Sequence, residues 1–331
     1  GSQGSSIFAE VVPHYFAIRA RINRMVAFLE AEKPDALITI DSAGFNFRVV
    51  NALRKRGNLR PQFIHYVAPT VWAYKPQRAK LIASLYDALL CLLPFEPPYF
   101  EAVGLPTHFV GHQIAWEWKI KGDGAGFRAR HGIGEITPLL ALFPGSRNGE
   151  LKRMMPIYEG AVAALKRQIP DLELVVQVPS RMVKRLHDAT RNWPVKSHIL
   201  PSTVEKKDVF AAANVALAKS GTIALECALA QLPSVTTYKA STLTAAILRR
   251  VLKTKFVNLA NILSGSMMIP ELLQEDCNPR TLAEALLPLF TDATVRDTQI
   301  HGLQNVAAKL GVTEALSPSE KAAAIICGML G

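Results

Sequence analysis

Apolar positions along this chain alternate between two rhythms: short unbroken runs, and longer stretches in which they recur three and four residues apart. The runs predict buried strands and the spaced stretches predict amphipathic helices. The first helix is expected over residues 15–32, closed by Pro34, and a strand follows at 36–40. Then come a helix at 46–56, a strand at 63–67, a helix at 77–84 and a strand at 88–93. The turn Pro94-Phe95-Glu96 starts another helix, and a strand at 108–110 ends in Gly111-His112. Residues 113–135 have mixed polarity and glycines at Gly122, Gly124 and Gly126, the pattern of a connection. Alternation restarts with strands at 139–143, 173–178, 197–200, 215–218 and 234–238, separated by helices at 150–168, 181–192 and 208–213 and one beyond Thr222. The tail, 279–330, is expected to be helical throughout.

Strand alternating with helix predicts parallel sheets covered on both faces, an α/β class. Two doubly wound, Rossmann-like domains facing each other are expected. The first covers 7–112, 113–135 is the linker, and 136–331 forms the second with the C-terminal helices. Gly1-Ser2-Gln3-Gly4-Ser5-Ser6 has no initiator Met and reads as an appended remnant. A helix comes first, without a strand or Gly-rich turn ahead of it, so the front domain is expected to be incomplete.

Length and composition agree: 331 residues suit two domains, and 49% hydrophobic with 20% charged residues describe a globular protein. A formal charge of +11 favours polyanions, whether anionic lipid, phosphorylated substrate or nucleic acid. Cys91, Cys227, Cys277 and Cys327 are scattered singly, which supports neither a disulfide framework nor a zinc site and fits a cytoplasmic setting. No run of about 20 apolar residues spans a bilayer.

The stretch richest in candidate chemistry is Asn214–Tyr238. A strand enters a helix through Lys219-Ser220-Gly221-Thr222, a geometry that aims unpaired N–H groups at an anion. Glu226, one turn on, would offer a carboxylate to sugar hydroxyls; the plainer reading is an ordinary βαβ turn. Pro144-Gly145-Ser146-Arg147 offers a second such turn with a guanidinium, and Asn261, Glu271 and Gln274 form a third segment that could converge. Lys219 reads as a solvated turn residue. Asp41 closes a strand, where it could serve as a general base or as a helix N-cap. His65 and His112 read as core or rim residues, without metal-ligand spacing. Trp72 and Tyr74 lie in a proline-flanked loop that suits stacking on a sugar, gripping an acyl chain, or simple packing. Residues 242–255 predict a helix with Arg249, Arg250 and Lys253 beside apolar positions: a membrane contact or an ordinary charged face.

Taken in order, Ile40-Asp41 with Phe45-Asn46, His65-Tyr66-Val67 through Val71-Trp72-Ala73, Leu93-Pro94-Phe95-Glu96, Val110-Gly111-His112, Pro144-Gly145-Ser146-Arg147 with Glu150, Ser220-Gly221-Thr222 through Leu225-Glu226, Asn261 within 259–263, and Glu271-Leu272-Leu273-Gln274 run across almost the whole chain. That ordered set resembles the lipid-A-disaccharide synthases, GT-B-fold glycosyltransferases. The resemblance implies inverting transfer of 2,3-diacylglucosamine from its UDP donor to 2,3-diacylglucosamine 1-phosphate, with no metal or other cofactor. It also implies a cytoplasmic protein peripheral on the anionic inner-membrane surface, no nucleic-acid partner, and a homodimer left open. Position by position, Asp41 matches the family's essential aspartate and Arg147 the arginine near the donor diphosphate. Ser146, Ser220, Gly221, Thr222 and Glu226 match the nucleotide-holding segments, and Asn261, Glu271 and Gln274 match further site positions. Two features depart from the family: its opening strand and Ser-Gly-Asp turn are absent, and Ala43-Gly44 replaces Pro-Asp, removing a second carboxylate. Another UDP-GlcNAc-dependent GT-B enzyme and an inactive nucleotide- or lipid-binding module are the competing readings.

Overall fold

The computed structural model describes residues 4–73, 76–240 and 254–331. Its chain divides into two compact units, residues 1–113 with 315–331, and residues 114–314.

The first unit is built on four parallel strands in the order β1 (Ala36–Ile40), β2 (Gln62–Tyr66), β3 (Ala88–Cys91), β4 (Thr107–Phe109). One face packs against α1 (Gly4–Glu32), α2 (Ala43–Arg56) and α3 (Arg78–Leu85), through Val26, Val50, Leu53 and Ile82. The other face is covered from the far end of the sequence. Ala322, Ile325, Ile326 and Met329 of the last helix, Pro318–Leu330, pack on Ile64, Ala88, Leu90 and Val110. Sequence order places that helix with the second domain, but a parallel sheet needs both faces covered, and the first sheet is where it packs. A capping box fixes its start: Ser317 Oγ accepts from Glu320 N, and Glu320 Oε2 accepts from Ser317 N.

His65 of β2 is fully buried between Phe47 and Tyr86, with Nδ1 2.7 Å from Thr39 Oγ1. Burial lowers its pKa from 6.5 to about 4, against a smaller opposing pull from Asp41. Between those values the unfolded chain takes up a proton that the folded one declines. Stability from this residue is therefore complete above pH 6.5 and is lost as the pH falls toward 4, by up to about 3 kcal/mol. Urea midpoints measured between pH 7 and pH 4 should fall less steeply for His65→Gln than for the unmodified chain; equal slopes would assign the effect elsewhere.

The second unit carries six parallel strands: β5 (Leu139–Phe143), β6 (Glu173–Val178), β7 (Lys196–Pro201), β8 (Val215–Lys219), β9 (Ser234–Tyr238) and β10 (Glu271–Leu273). Their order is β10-β9-β8-β5-β6-β7. The chain winds outward from β5 to one edge, then returns beside β5 and winds to the other. The order thus reverses between β5 and β8, where neighbouring crossovers depart to opposite sides and leave a crevice at the strands' carboxyl ends. Leu140, Leu142, Val176, Leu217 and Val235 pack against α7 (Asn148–Gln168) and the helix Pro279–Thr291. The sequence predicted five of these strands; β10 is three residues long and too short to show a period.

Of the stretch expected to be a linker, residues 114–135 belong to this unit. Trp118 packs edge-on against Phe210, and α6 (Gly124–His131) lies against α9 (Lys206–Ala212), where a Cβ on Gly124 would meet the Ala211 carbonyl. Arg128 staples the contact. Its guanidinium donates to the carbonyls of Ala212, Gly134, Glu135 and Thr137 and to Asn214 Oδ1. Residues 249, 250 and 253, the candidate membrane contacts, lie outside the described residues, as do Tyr74 and Lys75.

Candidate active site

At the β5/β8 reversal lies a cleft of about 450 Å³. It is lined by Phe143, Gly145 and Ser146 after β5, and by Lys219, Ser220, Gly221, Thr222, Ile223 and Glu226 from β8 onward. Both turns enter helices, α7 and α10 (Thr222–Leu229), so two sets of first-turn N–H groups flank the cleft. Each turn depends on a glycine. Gly221 caps α10 at φ 154, ψ −156, a region open in practice only to glycine. Gly145 has φ 99, and a Cβ there would press on Glu150 Oε2 and Lys219 Cδ at 3.3 Å. Its missing side chain makes room for those two groups to pass over the turn.

The charges are paired in a chain. Glu150 Oε1 lies 3.1 Å from Arg147 Nη1 and 3.2 Å from Lys219 Nζ, so one carboxylate oxygen holds two cations. Lys219 is half-buried, its ammonium 5.1 Å from the centroid of the Tyr238 ring, rather than a solvated turn residue. Across the cleft, Lys206 Nζ stands 2.5 Å from Glu226 Oε2, yet that oxygen accepts no hydrogen bond of good geometry and is buried. The ammonium balances the charge, and a carboxylate has acceptor sites left for further donors.

Sequence reasoning missed Lys206, Gln177, Ser202 and Thr203, all of which line the cleft. Gln177 is the penultimate residue of β6 and the others follow β7, and the doubly wound rule points to the carboxyl ends of those strands once the strand order is known. Gln177 donates through Nε2 to Val204 O, which leaves Oε1 unpartnered. The loop beneath is held by Glu205, which accepts from Arg130 Nε at 2.6 Å and pairs with His131 Nε2 at 2.8 Å. The His131 hydrogen bond, assisted by Arg130, holds the Glu205 carboxyl below the usual range.

Asn261, Glu271 and Gln274 do not line this cleft. Asn261 is buried and spends its amide internally, on Ile269 O and Glu271 Oε1 as donor and on the N–H groups of Met268 and Ile269 as acceptor. Glu271 accepts from Val257 N and Asn258 N, and Gln274, at φ 50, donates its N–H to Tyr238 O. The three fix the edge strand β10 and the segment before it.

Asp41 belongs to the other unit. It lies in a hollow of about 290 Å³ with Ala43, Val67, Ala68, Pro69, Thr70, Val71 and Arg78. The N-cap of α2 is Ser42, without a side-chain bond, so capping does not occupy the Asp41 carboxylate. The backbone here is strained: Asp41, Ser42 and Val67 have φ of 48, 44 and 80, and for a β-branched valine that is a true outlier. Residues held this way cluster where a site demands it. Asn46 Nδ2 locks the turn by donating to the carbonyls of Ile40 and Asp41. Trp72, next along the loop, does not line this hollow; it donates through Nε1 to Glu96 Oε1, while Glu96 Oε2 accepts from Leu93 N.

Among the described residues no His, Cys, Asp or Glu side chains are grouped so as to hold a metal ion, and no helix is long and apolar enough to cross a membrane.

A family model described as lipid-A-disaccharide synthetase matches residues 4–326. The lipid-A-disaccharide synthase of Rhodospirillum centenum is 41% identical over 322 residues, covering 97% of this chain and 80% of that protein. The enzyme of the same name from Paramagnetospirillum magneticum is 43% identical over 316 residues, 95% of this chain and 80% of its own. Among solved structures, a putative UDP-N-acetylglucosamine 2-epimerase from Listeria monocytogenes superimposes with a TM-score of 0.59 at 14% identity, over 86% of this chain and 73% of that one. MurG of Acinetobacter baumannii does so with a TM-score of 0.54 at 14% identity, over 88% and 74%. At such identity these structures speak for the fold alone, the GT-B type.

Proposed function

The chain belongs to the lipid-A-disaccharide synthase family, and from that premise we propose how its own residues carry the reaction. The activity is glycosyl transfer in lipid A biosynthesis. The 2,3-diacylglucosamine unit passes from UDP to 2,3-diacylglucosamine 1-phosphate, giving the disaccharide 1-phosphate and UDP.

The UDP moiety is assigned to the β5/β8 cleft, and the observation that carries this is Glu226. Its buried carboxylate, paired with Lys206, stands one helical turn beyond the N–H groups of α10, a spacing that suits ribose hydroxyls beside a diphosphate. The diphosphate lies against the two helix N-termini, where Arg147 and Lys219 exchange Glu150 for phosphate oxygens. Asn261, Glu271 and Gln274 act at a distance, by holding the edge of the sheet. Asp41 takes the proton of the acceptor hydroxyl as that oxygen bonds to the anomeric carbon. The bond from that carbon to the β-phosphate oxygen breaks, and its electron pair leaves on UDP.

The turnover test is UDP release from the two acylated substrates; release from non-acylated UDP-GlcNAc instead would favour another GT-B chemistry. The site test is Glu226→Gln. Loss of the ribose contacts should weaken UDP and uridine alike by roughly 10-fold while leaving inorganic pyrophosphate unaffected. A variant that binds uridine as the unmodified chain does removes Glu226 from the site.

Attachment to the cytoplasmic face of the inner membrane is part of this reading. Ile18, Met25 and Phe28 of α1 are exposed, and Arg21 and Arg24 line a hollow with Met25, Phe28 and Phe45. No acidic residue occurs between Glu10 and Glu30. Apolar side chains flanked by arginines suit an anionic lipid surface, as does the net charge.

A further inference from the structure

The hollow around Asp41 contains a cation that the reading above leaves without a task. Arg78 lines it from the first turn of α3, half-buried, and makes no hydrogen bond, ion pair or ring contact among the described residues. Arg54 and Arg56 of the same unit, by contrast, are paired, with Asp87 at 2.9 Å and with Glu30 at 2.8 Å. Arg78 and Asp41 share a hollow yet do not pair with each other. A guanidinium drawn partly out of water, with no carboxylate against it, is a donor fork without an acceptor. Its planar array of N–H groups matches the oxygens of a phosphate two at a time.

The walls of this hollow therefore call for a ligand with two unlike ends. Toward Arg78 it should present an oxyanion, and toward Asp41 a neutral group with a proton to give up. The donor does not answer to that description, because its charge lies on an internal diphosphate. The acceptor does: one end of its sugar is a phosphomonoester and another is the hydroxyl that attacks. We propose that Arg78 is the acceptor-phosphate residue, binding the phosphomonoester while Asp41 receives the hydroxyl proton. Together the two would set which acceptor oxygen gives up its proton. Thr70, on the same wall, offers a hydroxyl to the phosphate. The strain stored at Asp41, Ser42 and Val67 marks this hollow independently of Arg78. The proposal rests on the glycosyl-transfer reading and adds the acceptor's anchor to it.

The test crosses the enzyme change with a substrate change. Initial rates are measured for the unmodified chain, Arg78→Met and Arg78→Lys, with 2,3-diacylglucosamine 1-phosphate and with the same lipid lacking its phosphate. An unchanged thermal unfolding profile of the whole chain serves as the check that each variant is folded. Arg78→Met should raise the acceptor KM roughly 10- to 100-fold with the phosphorylated lipid, leave the donor KM unchanged, and cost little with the lipid lacking phosphate. Arg78→Lys, with the charge but not the fork, should recover part of the loss. An equal penalty on both acceptors, or a penalty on donor KM, overturns the assignment. No turnover of the phosphorylated lipid by the unmodified chain overturns the glycosyl-transfer reading itself, and this proposal with it.

Discussion

Asp41→Asn is expected to lower kcat by 10²- to 10⁴-fold, the range for loss of a positioned general base, with UDP affinity unchanged. Asparagine is the informative replacement. Asp41 sits at φ 48, a conformation that asparagine tolerates and alanine resists. The turn itself does not depend on the carboxylate, because Asn46 Nδ2 bonds the backbone carbonyls of Ile40 and Asp41. Asn46→Ala supplies the contrast: it leaves the carboxylate and frees the turn, so it should cost stability as well as rate. No residue lining the UDP cleft comes from the unit that carries Asp41, hence the unchanged UDP affinity. A kcat within threefold of the unmodified chain would remove Asp41 from proton transfer. Ala43-Gly44, where the family carries Pro-Asp, makes the test sharper, because that second carboxylate is not there to stand in.

How far the sequence revealed this arrangement depended on the length of the signal. Strands at 139–143, 173–178 and 234–238 coincide with β5, β6 and β9, because runs of apolar or β-branched residues next to Pro, Gly or polar residues leave little choice. Helix starts are harder to place, as at α7, which begins at Asn148 while the sequence predicts 150, since its first-turn residues are polar and do not yet show a period. Long-range pairing was hidden. Nothing in 318–330 says which sheet it covers, and nothing around Trp118 says that Phe210 awaits it. At the cleft, Ser146, Ser220, Gly221 and Glu226 were legible because glycine-bearing turns between strand and helix have a local signature. Lys206, Gln177 and Thr203 were not, because they come together only through strand order. Lys219 and Arg78 have no local signature at all: a lysine in a turn and an arginine opening a helix look solvated until their surroundings are known.

Arg147→Ala is expected to lower kcat by roughly 5- to 10³-fold, as for removal of a cation from a developing anion. The bond broken in the transfer leaves an additional negative charge on UDP. At about 4 Å a cation is worth about 1 kcal/mol to that charge in bulk water, and about 4 kcal/mol at the effective dielectric of a partly enclosed site. Arg147 is free to deliver this. Its side chain is 75% exposed and its Glu150 contact is an i,i+3 pair, worth a few tenths of a kcal/mol on a helix surface. Little is therefore lost when phosphate replaces Glu150. Lys219 differs: its side chain is 19% exposed and its pairing with Glu150 is largely sheltered, so it should act mainly by holding the diphosphate before reaction. Lys219→Met should accordingly weaken UDP about 10-fold and uridine not at all, while Arg147→Ala should fall chiefly on kcat. If Arg147→Ala instead raises only the donor KM, the arginine binds donor and transition state equally well, and stabilisation of the leaving group passes to the helix N-termini and Lys219.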